Sequence, residues 1–410
     1  MSELLPFRAL RPAPSSANRV ASVPYDVVNT DEARALAAAE PLSFLHVTRS
    51  EIDLPSGTPP YDDRVYAQAV KNLATLRQSA PMVQDAEPSL YAYRLRMGNH
   101  EQTGIAGLFS VDEYEQGLIK KHEKTRREKE DDRTRHIVDT GAQTGVVFLT
   151  YRGSAATAID IDAVVARVTT QPVLYDITAP DGVRHQVWQI TGADAQAVVR
   201  GFAAVPALYI ADGHHRAASA ARARQDLAKA GRPTSAADAF IAVAFPDTAV
   251  QILAYNRTVK DLAGQSPEAL LAAIREGGMT VSPGPAVPDQ PGRVSMYLAG
   301  QWYSVMLPAT TAGAAPGDTL DVEVLQQRIL QPFLKVGDPR TDKRVDFVGG
   351  IRGTAELEQL VNSGKAAVAF SLYPVSVADL MAISDAGAIM PPKSTWFEPK
   401  LRDGLLVHLV

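Results

Sequence analysis

The stretch Pro206-Ala207-Leu208-Tyr209-Ile210-Ala211-Asp212-Gly213-His214-His215-Arg216 decides the reading of this chain, because an apolar run ends abruptly in a glycine turn and four polar side chains. Residues 206–210 are apolar enough for a buried strand, and 217–230 are alanine-rich and end cleanly at Gly231 and Pro233, as a helix does. Phe240–Phe245 supplies the next strand. Strand, glycine turn, helix and strand in that order predict a βαβ unit. The first amides of a helix have no partner inside it, so the turn at 212–216 opens on an anion site. Arg216 adds a forked donor for phosphate oxygens, the imidazoles of His214 and His215 can move protons near neutral pH, and Asp212 can orient an imidazole or hold a metal. The plainer alternative is a capped helix start, for which Asp is a good residue. Four polar residues in succession after an apolar strand exceed what capping needs.

Outward from this centre, the N-terminal side shows Val23-Pro24-Tyr25-Asp26-Val27-Val28-Asn29 ending in a turn. Thr30 or Asp31 then caps a helix over 32–40, which Pro41 stops. Residues 42–48 have the look of a strand, 61–79 of a helix with Val65, Ala69 and Leu73 on one face, and 90–97 with 102–110 of a hairpin about Gly98-Asn99. The run 113–136 is so densely charged that most of it is expected to face water. Within it, Glu123 sits among Lys121, His122 and Lys124; a carboxylate among cations stays ionised and can act as a general base, although charge runs are more often solvated helix faces. Short strands are expected at 146–150, 173–177 and 185–190.

Pro and Gly crowd 282–292 and 308–317, so a domain boundary is placed near 285. Domain 1–285 then carries the phosphate site, and 286–410 is a C-terminal α+β region with a hairpin at 294–306, a helix at 320–334 and a strand at 366–372. Its last loop, Met390-Pro391-Pro392-Lys393-Ser394-Thr395-Trp396-Phe397-Glu398-Pro399-Lys400, is expected to return to the site. Lys393, Ser394 and Thr395 offer a cation and two hydroxyls to a nucleotide, resembling the end of a P-loop without its glycines; a clasp between domains is the competing reading.

Composition narrows the function. The 410 residues are 46% hydrophobic and 21% charged, with 41 Lys and Arg against 46 Asp and Glu, a formal charge of −5. Nothing in that balance draws the chain to nucleic acid or to an anionic membrane. With no cysteine, thiolate metal sites, disulfides and cysteine nucleophiles are excluded. No apolar run reaches the roughly 20 residues that span a bilayer, and no signal peptide is visible, so the cytoplasm is the expected address. His46, His100, His136 and His185 lack the helical spacing of a simple metal site and are read as structural, and Trp188, Trp302 and Trp396 as packing aromatics.

The runs Val23–Val28, His122-Glu123-Lys124-Thr125, Ile210–Arg216 and Met390–Thr395 together resemble the prokaryotic family called domain of unknown function 1015, over nearly the whole chain. The family in turn is similar to the ParB and sulfiredoxin superfamily, whose members bind nucleotide phosphates on a Gly-x-x-Arg turn and which includes free-serine kinases. The resemblance implies a mixed α/β, ParB/sulfiredoxin-like nucleotide-binding core. It implies Glu123 as base, Asp212 and His214 beside the transferred phosphoryl group, and Gly213, His215 and Arg216 cradling phosphate. ATP or ADP with Mg²⁺ is the implied cofactor set. His214 stands where sulfiredoxin has its catalytic Cys, so sulfinic-acid repair is excluded, and no helix-turn-helix module of the ParB kind follows. Asn256 replaces a His expected in relatives. Three functions stay open: a nucleotide-dependent kinase of a small hydroxyl compound, free serine first; a phosphatase of phosphoserine or a similar ester; and a nucleotide-gated regulator related to ParB with no catalysis.

Overall fold

A computed structural model describes residues 2–79, 82–153, 155–309 and 313–410. The chain forms a mixed α/β protein of two compact units. The first is Met1–Val250 with Pro399–Val410, and the second is Gln251–Glu398. The boundary therefore falls at 250/251 and not near 285, and the chain crosses back at 398/399. The Pro/Gly stretch 282–292 is a connection inside the second unit, between strands of one sheet. Of the expected 308–317 loop, residues 310–312 lie outside the described residues.

The first unit is built on a nine-stranded mixed sheet. Its strands are β1 (Leu4–Leu5), β2 (Leu90–Met97), β3 (His100–Ser110), β4 (Ile119–Lys120), β5 (Val147–Tyr151), β6 (Tyr175–Thr178), β7 (Arg184–Ile190), β8 (Leu208–Asp212) and β9 (Ala239–Pro246). They lie in the order β4-β8-β5-β9-β3-β2-β7-β6, with β1 on β3. β9 is a continuous apolar run, buried from Ala239 to Phe245, as befits a strand covered on both faces. The strand–helix–strand order read around Asp212 is present, but it is not a parallel βαβ unit. β5 lies between β8 and β9, antiparallel to the first and parallel to the second, so β8 and β9 run in opposite directions.

Three helices matter for the site: α1 (Asp63–Ser79), α2 (Arg127–Thr140) and α3 (His214–Lys229). α1 buries Val65, Tyr66, Ala69, Leu73 and Leu76, the face its periodicity predicts. Residues 42–48 are helical at Leu45–Thr48 and not a strand, continuing from a turn in which Ser43 accepts the Leu45 amide. Most of the charged run 113–136 is exposed or half-buried, as expected, but part of it turns inward. α2 packs against α3, and Asp132, Thr134, His136 and Ile137 are buried. Those polar groups tolerate burial because they are satisfied: Asp132 accepts from the Tyr66 hydroxyl at 2.9 Å and pairs with Arg133 at 2.8 Å, and His136 Nε2 meets the Val47 carbonyl at 2.9 Å. The returning C-terminal segment pairs Asp403 with Ser22, Val407 with Leu10 and His408 with Gln143.

The second unit has a six-stranded antiparallel sheet of β10 (Tyr255–Val259), β11 (Thr280–Pro283), β12 (Arg293–Leu298), β13 (Gln301–Met306), β14 (Val345–Gly349) and β15 (Val368–Ser371), in the order β11-β13-β12-β15-β10-β14. The expected 320–334 helix is shorter, Asp321–Leu325 followed by a π-helical turn at Gln326–Leu330. Among the described residues no helix is long and apolar enough to cross a membrane.

Candidate phosphoryl-transfer site

β8 ends with a register shift against β5 between Ile210 and Asp212. A bulge of this kind re-aims the next side chain and ends the pairing, and here the next side chain is Asp212. Gly213 follows with φ +92°, which L side chains rarely adopt, and α3 starts at His214. A Cβ on Gly213 would stand 3.2 Å from Arg216 Cδ and 3.5 Å from Val147 Cα, so the turn closes tightly over the arginine.

Asp212 is the anionic centre of the turn. Its Oδ1 accepts the Gly213 amide at 3.0 Å, and its Oδ2 accepts Lys400 Nζ at 2.9 Å. Burial pushes this carboxyl up, but the nearby Lys400 and Arg216 charges and the Lys400 hydrogen bond outweigh it, holding Asp212 well below the usual carboxylate range. It is ionised at neutral pH.

The two histidines hold a loop. The His122 amide donates to His214 Nε2 at 3.4 Å, and the Arg126 amide donates to His215 Nε2 at 3.0 Å. Each Nε2 is therefore an acceptor, which places the ring proton on Nδ1 in both. His214 Nδ1 faces Glu123 Oε2 at 3.7 Å, and its ring meets that of His122 edge-on at 4.4 Å between centroids. Burial, then the neighbouring His122, lower His214 well below an ordinary histidine; burial lowers His215, and lowers His122 to about 4. All three are neutral at pH 7. Glu123 itself remains 44% exposed at the mouth of the site.

Arg216 points the other way. It is buried, donating through Nη1 to the Val146 carbonyl at 2.7 Å and through Nη2 to both oxygens of Asp26 at 2.7 and 2.9 Å. Its guanidinium stacks above Tyr25, 5.4 Å from the ring centre. Burial lowers its pKa, but Asp26, Asp403 and other anions more than restore it. The anion that Arg216 is expected to find in a phosphate is thus already supplied by the Asp26 carboxylate. Asp403 is fully buried nearby, and burial pushes it up to about 7. A small pocket opens beside this pair, lined by Tyr25, Arg133, His136, Thr144 and Arg216 among others.

The structure thus gathers Glu123, Asp212, Gly213, His214, His215 and Arg216 in the first unit. Lys393, Ser394 and Thr395 belong to the second, where Ser394 Oγ donates to the Pro391 carbonyl at 2.7 Å and Lys393 Nζ lies 5.5 Å from the Tyr255 ring centre. Asp26, His122, Lys400 and Asp403 are site residues that reading by local chemistry passes over. Three of them do lie in the quoted runs: Asp26 in Val23–Val28, His122 beside Glu123, and Lys400 closing the C-terminal loop. Among the described residues no group of three or more His, Asp and Glu gathers as a metal cage.

Fold and site together define a mixed α/β protein with an acidic glycine turn at a helix N-terminus. The chain belongs to the family described as protein of unknown function DUF1015, whose model matches residues 4–323. No curated protein matches it. Solved structures similar to it include a free serine kinase in complex with AMP, 12% identical with a TM-score of 0.36, covering 73% of this chain and 91% of the other. A conserved hypothetical protein from Pyrococcus furiosus is 14% identical with a TM-score of 0.35, covering 74% and 95%. SbnI with a C-terminal truncation, from Staphylococcus aureus, is 13% identical with a TM-score of 0.37, covering 74% and 87%.

Proposed function

We propose that this protein is a phosphotransferase that moves a phosphoryl group from ATP or ADP to a small hydroxyl compound, with free serine the first acceptor to try. One observation supports this above the others: both histidines of the 212–216 turn are spent as acceptors on the loop that carries Glu123, so an ionised aspartate, a helix N-terminus and an exposed carboxylate are fixed around one point. The nucleotide phosphates lie against the first amides of α3, where the helix dipole favours anions. Lys400 balances the charge of Asp212. Glu123 takes the acceptor's proton. The hydroxyl oxygen bonds to the terminal phosphorus, the bond from that phosphorus to the bridging oxygen breaks, and the nucleotide leaves one phosphate shorter. Catalysis is then positioning and electrostatics. Serine as acceptor and a nucleotide as donor come from the motif resemblance to free-serine kinases.

Arg216 acts in this reading as a positioning residue, tying the turn to Asp26 and Val146 from below. Mg²⁺ is usually held by one or two carboxylates together with substrate phosphates, and Asp212 and Glu123 would be the carboxylates to hold it here. When bound it would neutralise phosphate charge. The phosphatase reading, with His214 as nucleophile, is disfavoured: Nε2 accepts a backbone amide, Nδ1 bears the proton, and neither presents a free lone pair to phosphorus. The test is a coupled assay of purified protein with serine and ATP or ADP, expected to yield phosphoserine only with nucleotide and to fail in Asp212→Ala. Tight nucleotide binding without turnover on any hydroxyl amino acid would replace this reading with that of a regulator.

A further inference from the structure

Arg257, on β10 of the second unit, is 4% exposed, and among the described residues no carboxylate comes within ion-pair distance of it. Its hydrogen bonds go to two backbone carbonyls, Nη1 to that of Tyr255 and Nη2 to that of Pro392, the latter at 3.0 Å. The guanidinium lies against Phe347, 5.2 Å from the ring centre. Two of its five donors are used, so three N–H groups, that of Nε among them, have no partner among the described residues. Carbonyls satisfy hydrogen bonds but do not cancel charge, and a buried charge without a counter-ion is costly. Burial pushes this arginine down to about 9, more than the charges of Tyr255 and Glu323 restore.

Beside the guanidinium is a pocket with room for about one water, walled mainly by Val322, Leu330, Pro391 and Pro392. Its other polar side chains are already engaged: Gln326 donates to the Gly337 carbonyl at 2.9 Å, and Glu323 accepts from Gln327 Nε2 at 2.8 Å. A positive charge with donors to spare thus borders a space that takes a single small ion. We propose that the pocket is a binding site for a halide, chloride under ordinary conditions, held by the spare N–H groups of Arg257 as its counter-ion. A water would fill the space without balancing the charge, and a carboxylate, a phosphate or an amino acid does not fit. A halide needs donors and no acceptors, which is what this guanidinium offers. The apolar wall strengthens the attraction by lowering the local dielectric. The site lies within the second unit and is independent of the phosphoryl-transfer reading.

Two measurements on the full-length protein test it. Thermal unfolding in sodium chloride is compared with that in sodium gluconate at equal ionic strength, so that general screening is the same in both. Chloride is expected to raise the melting temperature by roughly 2–4 °C in a saturable way, because it binds only the folded site. Arg257→Met is expected to melt at the same temperature in both salts, whereas Arg328→Met, which removes an exposed cation of the same unit, keeps the chloride shift. The second measurement needs no variant: crystals of the intact protein soaked in sodium bromide should show an anomalous scattering peak within hydrogen-bond distance of the Arg257 guanidinium. A chloride shift that survives in Arg257→Met, no shift in the intact protein, or water alone at the guanidinium in the bromide crystal overturns the proposal.

Discussion

His214 and His215 are used here as neutral acceptors, so their value lies in where they hold the 122–126 loop and not in a proton they give up. Replacing His215 by Ala should free the Arg126 amide and lower kcat by about tenfold or more, since small misplacements of a catalytic group are costly. His215→Gln, which restores an acceptor, should recover most of the rate, and steady-state kinetics on the two variants separate positioning from chemistry. Because burial lowers both imidazoles, they stay neutral below the pH at which free histidine charges, so the acid limb of the rate profile should lie below the ordinary value of 6.5. Gly213→Ala forces a Cβ into a φ of +92° against Arg216 and should cost about 1–2 kcal/mol in urea unfolding. The turn itself was legible because Asp-Gly-His-His-Arg follows an apolar run. Arg216's engagement was not, since its partner Asp26 lies far away in sequence and no local rule pairs them.

Elements were read where period and punctuation agreed. α1, the β2–β3 hairpin about Gly98 and the β8–Gly213–α3 step all fall close to their expected places. Strand order is another matter: hydrophobic pattern says that β8 and β9 are buried strands, but not that β5 slips between them. The charged run 113–136 faces water for the most part, as its composition says, but composition does not show that α2 buries its Asp132 and His136 with partners on other elements. Close approach between strands leaves a sharper mark. A Cβ on Gly104 of β3 would lie 2.7 Å from the Ala244 carbonyl oxygen of β9, so Gly104→Ala should overpack the sheet centre and cost about 1–3 kcal/mol. A urea midpoint unchanged by that substitution would contradict the register between β3 and β9.

At the scale of the molecule, composition located linkers but could not tell which of them separates units. The stretch 282–292 has the look of a boundary yet joins β11 to β12 within one sheet, whereas the true crossings at 250/251 and 398/399 carry little compositional sign. The first unit also stores a pH response. Burial lowers His122 and His136 to about 4 and His185 to about 3, against 6.5 for the free side chain. Between these values the unfolded chain binds more protons than the folded one, so stability falls as pH drops from about 6.5 towards 4. Asp403 works in the opposite sense: raised from 3.8 to about 7, its folded form binds more protons in that window and loses stability as pH rises through it. Asp403→Asn should therefore steepen the acid loss, as urea unfolding at about pH 7 and about pH 5 would reveal.

The central claim is that the turn at 212–216 receives the phosphates of a nucleotide. Calorimetric titration of ADP and ATP into the intact protein and into Gly213→Ala, with the variant's fold verified by circular dichroism, tests it most directly. Saturable binding that weakens by about tenfold or more in the variant is the predicted result. Equal affinity in both proteins, or no binding of either nucleotide to the intact one, would contradict it.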